Sequence, residues 1–200
     1  LKPRQLHVAR QCGLAVPDSL ITNRPDWVRD FARRVGGPLA GKTLAAALLV
    51  ESGQLQTAYT RRIEQTELDD LAGVDTTLHF FQPFLAPKAF EARVTVVGER
   101  VFGAAIHAGS EAARVDWRSD YETLDYAVIE PPELVTTGML RFLKAFGLSF
   151  GAFDFVVTPD EEWIMLECNP AGAYGWLEDA LDLPITSALA DLLANGATAC

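Results

Sequence analysis

Basic side chains are scarce in this sequence: 17 Lys and Arg stand against 27 Asp and Glu, a formal net charge of −10. That balance argues against a nucleic-acid surface and gives no reason to expect binding to anionic membranes. No apolar run approaches the roughly 18 residues of a membrane-spanning helix, and no secretory signal is visible. Cysteine is sparse as well. Cys12, Cys168 and Cys200 are odd in number and form no CxxC, so reduced thiols and a cytoplasmic location are expected. His7, His79 and His107 lack metal-ligand spacing with one another or with the cysteines and are assigned no site. No Ser-His-Asp or Cys-His pattern stands out, so a protein nucleophile is not expected. Repeats and low-complexity tracts are also missing. The chain opens at Leu1 rather than Met, already inside a helical pattern, and a further domain upstream of this chain is expected.

What is present is an ordinary globular composition, 49% hydrophobic and 22% charged over 200 residues, enough to bury a core as one domain or two joined subdomains. The most telling local feature lies near the C-terminal end. Phe150–Thr158 reads as an apolar strand, Pro159–Glu162 as a turn and Trp163–Glu167 as a second strand. A turn centred between Asp160 and Glu161 sets Asp154 directly across from Glu167, with Asn169 on the same face two residues on. Two carboxylates about 5 Å apart on paired strands repel, so a positive charge is expected between them. Two carboxylates and an amide oxygen suit a hard divalent ion such as Mg²⁺. A solvated sheet edge is the alternative; the apolar neighbours favour the metal.

The remaining pattern is mixed. Helices are expected over Pro3–Gln11, from Pro25 to Val35 with Asn23 as cap, over Leu134–Phe146 and over Ile185–Leu193. Strands are expected over Ser19–Thr22, Leu39–Leu49, Leu55–Arg62 and Leu78–Phe84, with a turn at Gly53 and a short helix over Thr66–Leu71. A hairpin follows, Phe90–Val97 with Arg100–Ile106 around Gly98-Glu99, and then a polar functional loop, Ser110–Glu122. This is an α+β class with mostly antiparallel strands and two subdomains, 1–84 and 85–200.

Gly36–Thr43 matches the phosphate-loop pattern GxxxxGK[ST], but a helix and not a strand precedes it, and Pro38 removes a backbone donor. Lys42 itself lies among apolar neighbours, where either a phosphate partner or a stem reaching to solvent accounts for it. Arg93 lies inside a strand on the face of Glu91 and Thr95; it forms either a surface pair with Glu91 or a fork for phosphate. Arg118, on the polar loop, is similarly open to both readings. Trp27, Trp163 and Trp176 are expected in the core or at an interface.

Together these residues resemble the ATP-grasp superfamily over nearly the whole chain. The specific part is Met-Leu-Glu167-Cys-Asn169-Pro170-Ala-Gly172 after the strand bearing Asp154, where the family carries E-x-N-P. The resemblance implies two α+β subdomains with ATP between them, and Mg²⁺ held on the ATP phosphates by Asp154, Glu167 and Asn169. It further implies that Lys42 and Lys2 contact phosphates and that Arg93, in a strand like the family's D-x-R, lies near the γ-phosphate. Gln82 and Phe84, in the segment that brackets adenine, would help bind the base, with Gln82 in place of the usual acid. Arg118-Ser-Asp120 resembles an R-x-N element, with Arg118 in a catalytic role.

Four stretches resemble the graspetide macrocyclases more narrowly: Thr22-Asn23, Lys42-Thr43, Ala92–Gly98 and Asn169–Glu178. Thr43–Glu51 also lacks the glycine-rich loop of many ATP-grasp ligases. The implied activity is formation of side-chain esters or amides in a ribosomally made precursor peptide through an acyl phosphate, with the N-terminal domain outside this chain. The alternatives are a ligase adding a free amino acid to a protein or peptide, and a catalytically silent ATP-binding domain. The implied partner is the precursor peptide, and a homodimer is compatible with the sequence.

Overall fold

The computed structural model describes residues 2–44, 48–51, 54–57 and 59–195. In chain order its elements are α1 (Lys2–Gln11), β1 (Leu20–Thr22), α2 (Pro25–Val35), β2 (Leu39–Lys42), β3 (Leu48–Glu51), β4 (Gln54–Thr57), β5 (Arg61–Ile63), β6 (His79–Pro83), β7 (Phe90–Val97) and β8 (Arg100–Ala108). Then come α3 (Glu111–Val115), β9 (Leu124–Ile129), α4 (Glu133–Phe146), β10 (Phe150–Val157), β11 (Trp163–Asn169), α5 (Gly175–Leu181) and α6 (Ile185–Asn195). The turn expected at Gly53 lies outside the described residues. The chain forms two compact units: residues 1–16, 87–107 and 125–200 in one, 17–86 and 108–124 in the other.

That division differs from a single break at residue 84. The first sixteen residues join the later part of the chain because α1 buries Leu6 and Ala9 there. Its Ala9, with Cys12 and Leu14 just beyond, packs under the same sheet as Met139, Phe142 and Leu143 of α4. The Met165 N–H also donates to Ala15 O at 2.8 Å. Residues 108–124 go with the other unit, where the buried Asp116 carboxylate accepts from the Thr60 N–H at 3.0 Å.

The first unit is a five-stranded sheet of order β11-β10-β7-β8-β9. Val97 pairs with Arg100, so Gly98-Glu99 is the expected two-residue turn, with Gly98 at φ 61°. One sheet face, with Val94, Val96, Phe153, Phe155 and Met165, is sealed by α1 and α4. The other carries Val97 and Ala104 beneath Leu177, Ile185 and Ala188 of α5 and α6. That second face also carries the polar groups described below. The second unit is a four-stranded antiparallel sheet, β1-β6-β2-β5, covered on one face by Val28, Phe31 and Ala32 of α2.

Local signals held at most helix ends. Gly147 closes α4 at φ 63° and Gly36 closes α2 at φ 75°. Asn23 does not cap α2: the cap position is Arg24, and Thr22 Oγ1 accepts the Arg24 N–H at 3.0 Å. Gly36 thus ends a helix and Gly41 lies within β2, so the GxxxxGK[ST] match is a helix end and a strand rather than a phosphate loop.

Candidate functional site

In the first unit β10 and β11 pair antiparallel, with Asp154 opposite Glu167 and Ala152 opposite Asn169. The expected pairing is present, but by a different route. The turn is a three-residue loop, Pro159–Glu161: Thr158 N–H donates to Glu162 O at 3.0 Å, and Glu161 takes φ 62°. It is centred on Asp160, which would shift the register by one residue. A bulge between Asp154 and Phe155, where Phe155 already pairs with Met165, shifts it back. Leu166 is the extra residue. Glu167 and Asn169 therefore share the face of Asp154, and Cys168 turns into the core with Phe153.

Arg93 is the next residue across, opposite Asp154 on β7. Its Nε donates to Asp154 Oδ1 at 2.6 Å and its Nη2 to Oδ2 at 3.3 Å, and both side chains are buried. Lys2 Nζ reaches Glu167 Oε2 at 2.9 Å. The two carboxylates thus each meet a protein cation, as their mutual repulsion demands. Glu91, the alternative partner of Arg93, is engaged by Lys88 at 2.7 Å. Helix α1 serves the site twice: one turn beyond Lys2, Gln5 donates through Nε2 to Cys168 O at 2.7 Å and accepts from the Cys168 N–H at 3.2 Å. The sequence reading missed Gln5; its spacing from Lys2 was the available signal.

Behind Asn169 the chain folds tightly on the sheet. The Ala171 N–H donates to Asn169 Oδ1 at 3.0 Å. A Cβ on Gly172 would lie 2.5 Å from Ala152 Cβ and 3.4 Å from Arg93 Nη1, so only glycine allows this approach. Thr95, opposite Ala152, has a buried hydroxyl with no hydrogen-bond partner among the described residues. Burial, followed by the charges of Asp154 and Glu167, pushes the Cys168 thiol up to about 12 against the opposing Arg93, so it stays protonated.

Asp154, Glu167 and Asn169 present hard oxygen donors on one face, and each carboxylate has lone pairs beyond those its cation uses. The set fits a hard divalent ion. No group of three or more His, Cys, Asp and Glu able to hold a metal occurs among the described residues. An ion here would depend on the Asn169 amide and on oxygens brought by a ligand.

The second unit holds the other expected residues. Lys42 and Gln82 lie on the sheet face opposite α2, and Lys42 Nζ donates to Gln82 Oε1 at 2.9 Å. The Phe84 N–H donates to Pro38 O at 2.9 Å, and Arg62 stacks over its ring at 5.0 Å. Arg118 is held by Asp116, Nε to Oδ1 and Nη2 to Oδ2 both at 2.8 Å. Burial alone would raise Asp116, but the Arg118 guanidinium and the Thr60 and Arg118 N–H groups outweigh it and hold the carboxyl at about 2. The sequence reading passed over Asp116, although Asp-x-Arg spacing marked it. Asp120 accepts from Thr123 Oγ1 at 3.1 Å. The structure thus gathers Lys2, Arg93, Asp154, Glu167 and Asn169 on one unit, and Lys42, Gln82, Phe84 and Arg118 on the other.

The likeness to solved structures gives the fold as ATP-grasp. No protein-family model matches the sequence, and no curated protein matches it. Among solved structures, the chain is similar to the macrocyclase MdnC bound with precursor peptide MdnA from Microcystis aeruginosa MRC, at 36% identity over 97% of this chain and TM-score 0.83. It is also similar to a Chryseobacterium gregarium RiPP-associated ATP-grasp ligase in complex with ADP and a leader and core peptide, at 28% identity over 97% of this chain and TM-score 0.87. A third is the ATP-grasp ligase PsnB complexed with a phosphomimetic variant of minimal precursor, Mg and ADP, at 25% identity over 95% of this chain and TM-score 0.72. The chain spans 61%, 59% and 58% of the lengths of these three proteins. Its likeness is to graspetide-type ATP-grasp macrocyclases.

Proposed function

We propose that this chain is the ATP- and Mg²⁺-binding part of a ligase that crosslinks side chains within a ribosomally made precursor peptide. The observation that carries the reading is the Asp154–Glu167 pair with Asn169 beside it, in a chain 36% identical over 97% of its length to a macrocyclase bound with its precursor peptide. The metal would be held by Asp154, Glu167 and Asn169. When bound it would neutralise phosphate charge and align the γ-phosphoryl group.

The chain's own residues do the rest. Lys42 binds phosphate oxygens, Lys2 offsets the charge of Glu167, and Arg93 orients Asp154 while lying beside the γ-phosphate. A peptide Asp or Glu carboxylate oxygen attacks the γ-phosphorus as the bond to ADP breaks. A Ser or Thr hydroxyl, or a Lys amine, of the same peptide then attacks the acyl carbon. Phosphate leaves and the nucleophile's proton passes to solvent. Arg118, fixed by Asp116, stabilises the charge on that carbonyl oxygen. Holding both reacting groups on one bound peptide supplies much of the rate.

No helix among the described residues is long and apolar enough to cross a membrane, and Cys12 and Cys168 are buried free thiols. We place the enzyme in the cytoplasm; its net charge of −10 argues against a nucleic-acid partner, and a homodimer is left open to sizing. The test is mass spectrometry of the precursor peptide incubated with ATP and Mg²⁺. The parent protein removes one water per bond formed, and Asp154→Asn and Glu167→Gln remove none. Full dehydration by either variant would refute the site, and a mass gain would show ligation of a free amino acid instead.

A further inference from the structure

We propose that Gln82 is the positioning residue for Lys42: its amide, anchored on Ser19, holds the ammonium where nucleotide phosphates bind, and its side chain takes no part in reading the base. The inference rests on Lys42 being a phosphate ligand. Gln82 is 1% exposed, so its side chain lies beneath the surface that a ligand touches. Both ends of its amide are engaged inside the sheet.

The strand register explains how. Gln82 on β6 is opposite Ala40 on β2, so Lys42, two residues on, is its diagonal neighbour on the same face. Leu20 of β1 pairs with Phe81, and continuing that register by one residue brings Ser19 opposite Gln82. Gln82 Nε2 donates to Ser19 Oγ at 3.0 Å, and Ser19 Oγ donates to Pro17 O at 3.2 Å. The serine has one proton and gives it to Pro17, so toward Gln82 it can only accept. An ammonium can only donate. Both neighbours therefore force the same amide orientation, Nε2 toward Ser19 and Oε1 toward Lys42.

The choice of an amide matters chemically. A neutral oxygen accepts from the ammonium and fixes it without adding a negative charge beside the phosphates.

The test is isothermal titration of the full-length protein with AMPPNP and Mg²⁺, and separately with adenosine. The variants are Gln82→Leu, Gln82→Glu, Ser19→Ala and Lys42→Met. We expect Gln82→Leu to weaken AMPPNP binding about tenfold, Gln82→Glu, which keeps an acceptor for Lys42, and Ser19→Ala to weaken it less, and all three to leave adenosine binding within about twofold. In the Lys42→Met background, Gln82→Leu should add less than about twofold. Adenosine affinity falling in step with AMPPNP affinity would overturn the inference in favour of base recognition. Wild-type AMPPNP affinity in Gln82→Leu would overturn it too, as would full additivity with Lys42→Met. Wild-type AMPPNP affinity in Lys42→Met alone would instead remove the phosphate role of Lys42, and the inference with it. Should Gln82→Leu fail to fold, Gln82→Glu and Ser19→Ala decide the matter.

Discussion

Asp116 shows how much one buried carboxylate can organise. It accepts from the Thr60 N–H, the Arg118 N–H and two nitrogens of the Arg118 guanidinium. Its pKa is lowered from the ordinary 3.8 to about 2. A depressed carboxyl contributes stability above its unfolded pKa, and that stability is lost as pH falls through the folded value. The window is therefore between about pH 4 and pH 2. Asp116→Asn should cost about 2 kcal/mol at neutral pH. It should also flatten the stability profile across that window, measured by urea unfolding at stepped pH. A variant whose acid limb matches the parent's would place the acid sensitivity elsewhere. Cys168 makes the opposite case: burial and two nearby acids keep it a thiol, so it acts as a small core side chain rather than a nucleophile.

At the scale of elements, the seating of α1 decides whether Lys2 and Gln5 reach β11. That seat depends on α4 approaching closely at Gly138, where an added Cβ would lie 2.5 Å from Leu14 Cδ2 and 2.8 Å from its Cγ. Alanine is the better helix former by about 1 kcal/mol, yet here the clash should win. Gly138→Ala is expected to destabilise by about 1–3 kcal/mol, read as a lower urea midpoint at unchanged m-value. A higher midpoint would show that the contact relaxes freely.

Elements with a strong repeat or a glycine stop were legible from sequence: the β7–β8 hairpin, α4 up to Gly147, and β10 with β11. β9 was missed because only Leu124 is buried and its alternation breaks at Val128. α5 was missed because it begins at a glycine, spans seven residues and has no side-chain cap. The facing acids were found although two one-residue features, the three-residue loop and the bulge at Leu166, had to cancel. Alternation forces Glu167 and Asn169 onto one face and Cys168 onto the other, and that pattern outlasts an error in the turn. What sequence could not supply was the source of positive charge. Arg93 and Lys2 are far from the acids along the chain, and only the sheet and α1 bring them together.

Across the whole molecule, a net charge of −10 would repel a nucleotide unless cations are placed with care. The protein spends Arg93 and Lys2 on the carboxylates themselves. On the proposed function, Asp154, Glu167 and Asn169 would hold a lone cation poorly and a cation that arrives with phosphate oxygens well. Metal and nucleotide should therefore bind with positive coupling. The most direct measurement is calorimetric titration of Mg²⁺ into the full-length protein, with and without AMPPNP, in the parent and in Asp154→Asn. Mg²⁺ should bind weakly to the protein alone and clearly more tightly when AMPPNP is present, and Asp154→Asn should lose that tightening. Tight Mg²⁺ binding without nucleotide, or undiminished coupling in Asp154→Asn, would contradict the proposed metal site.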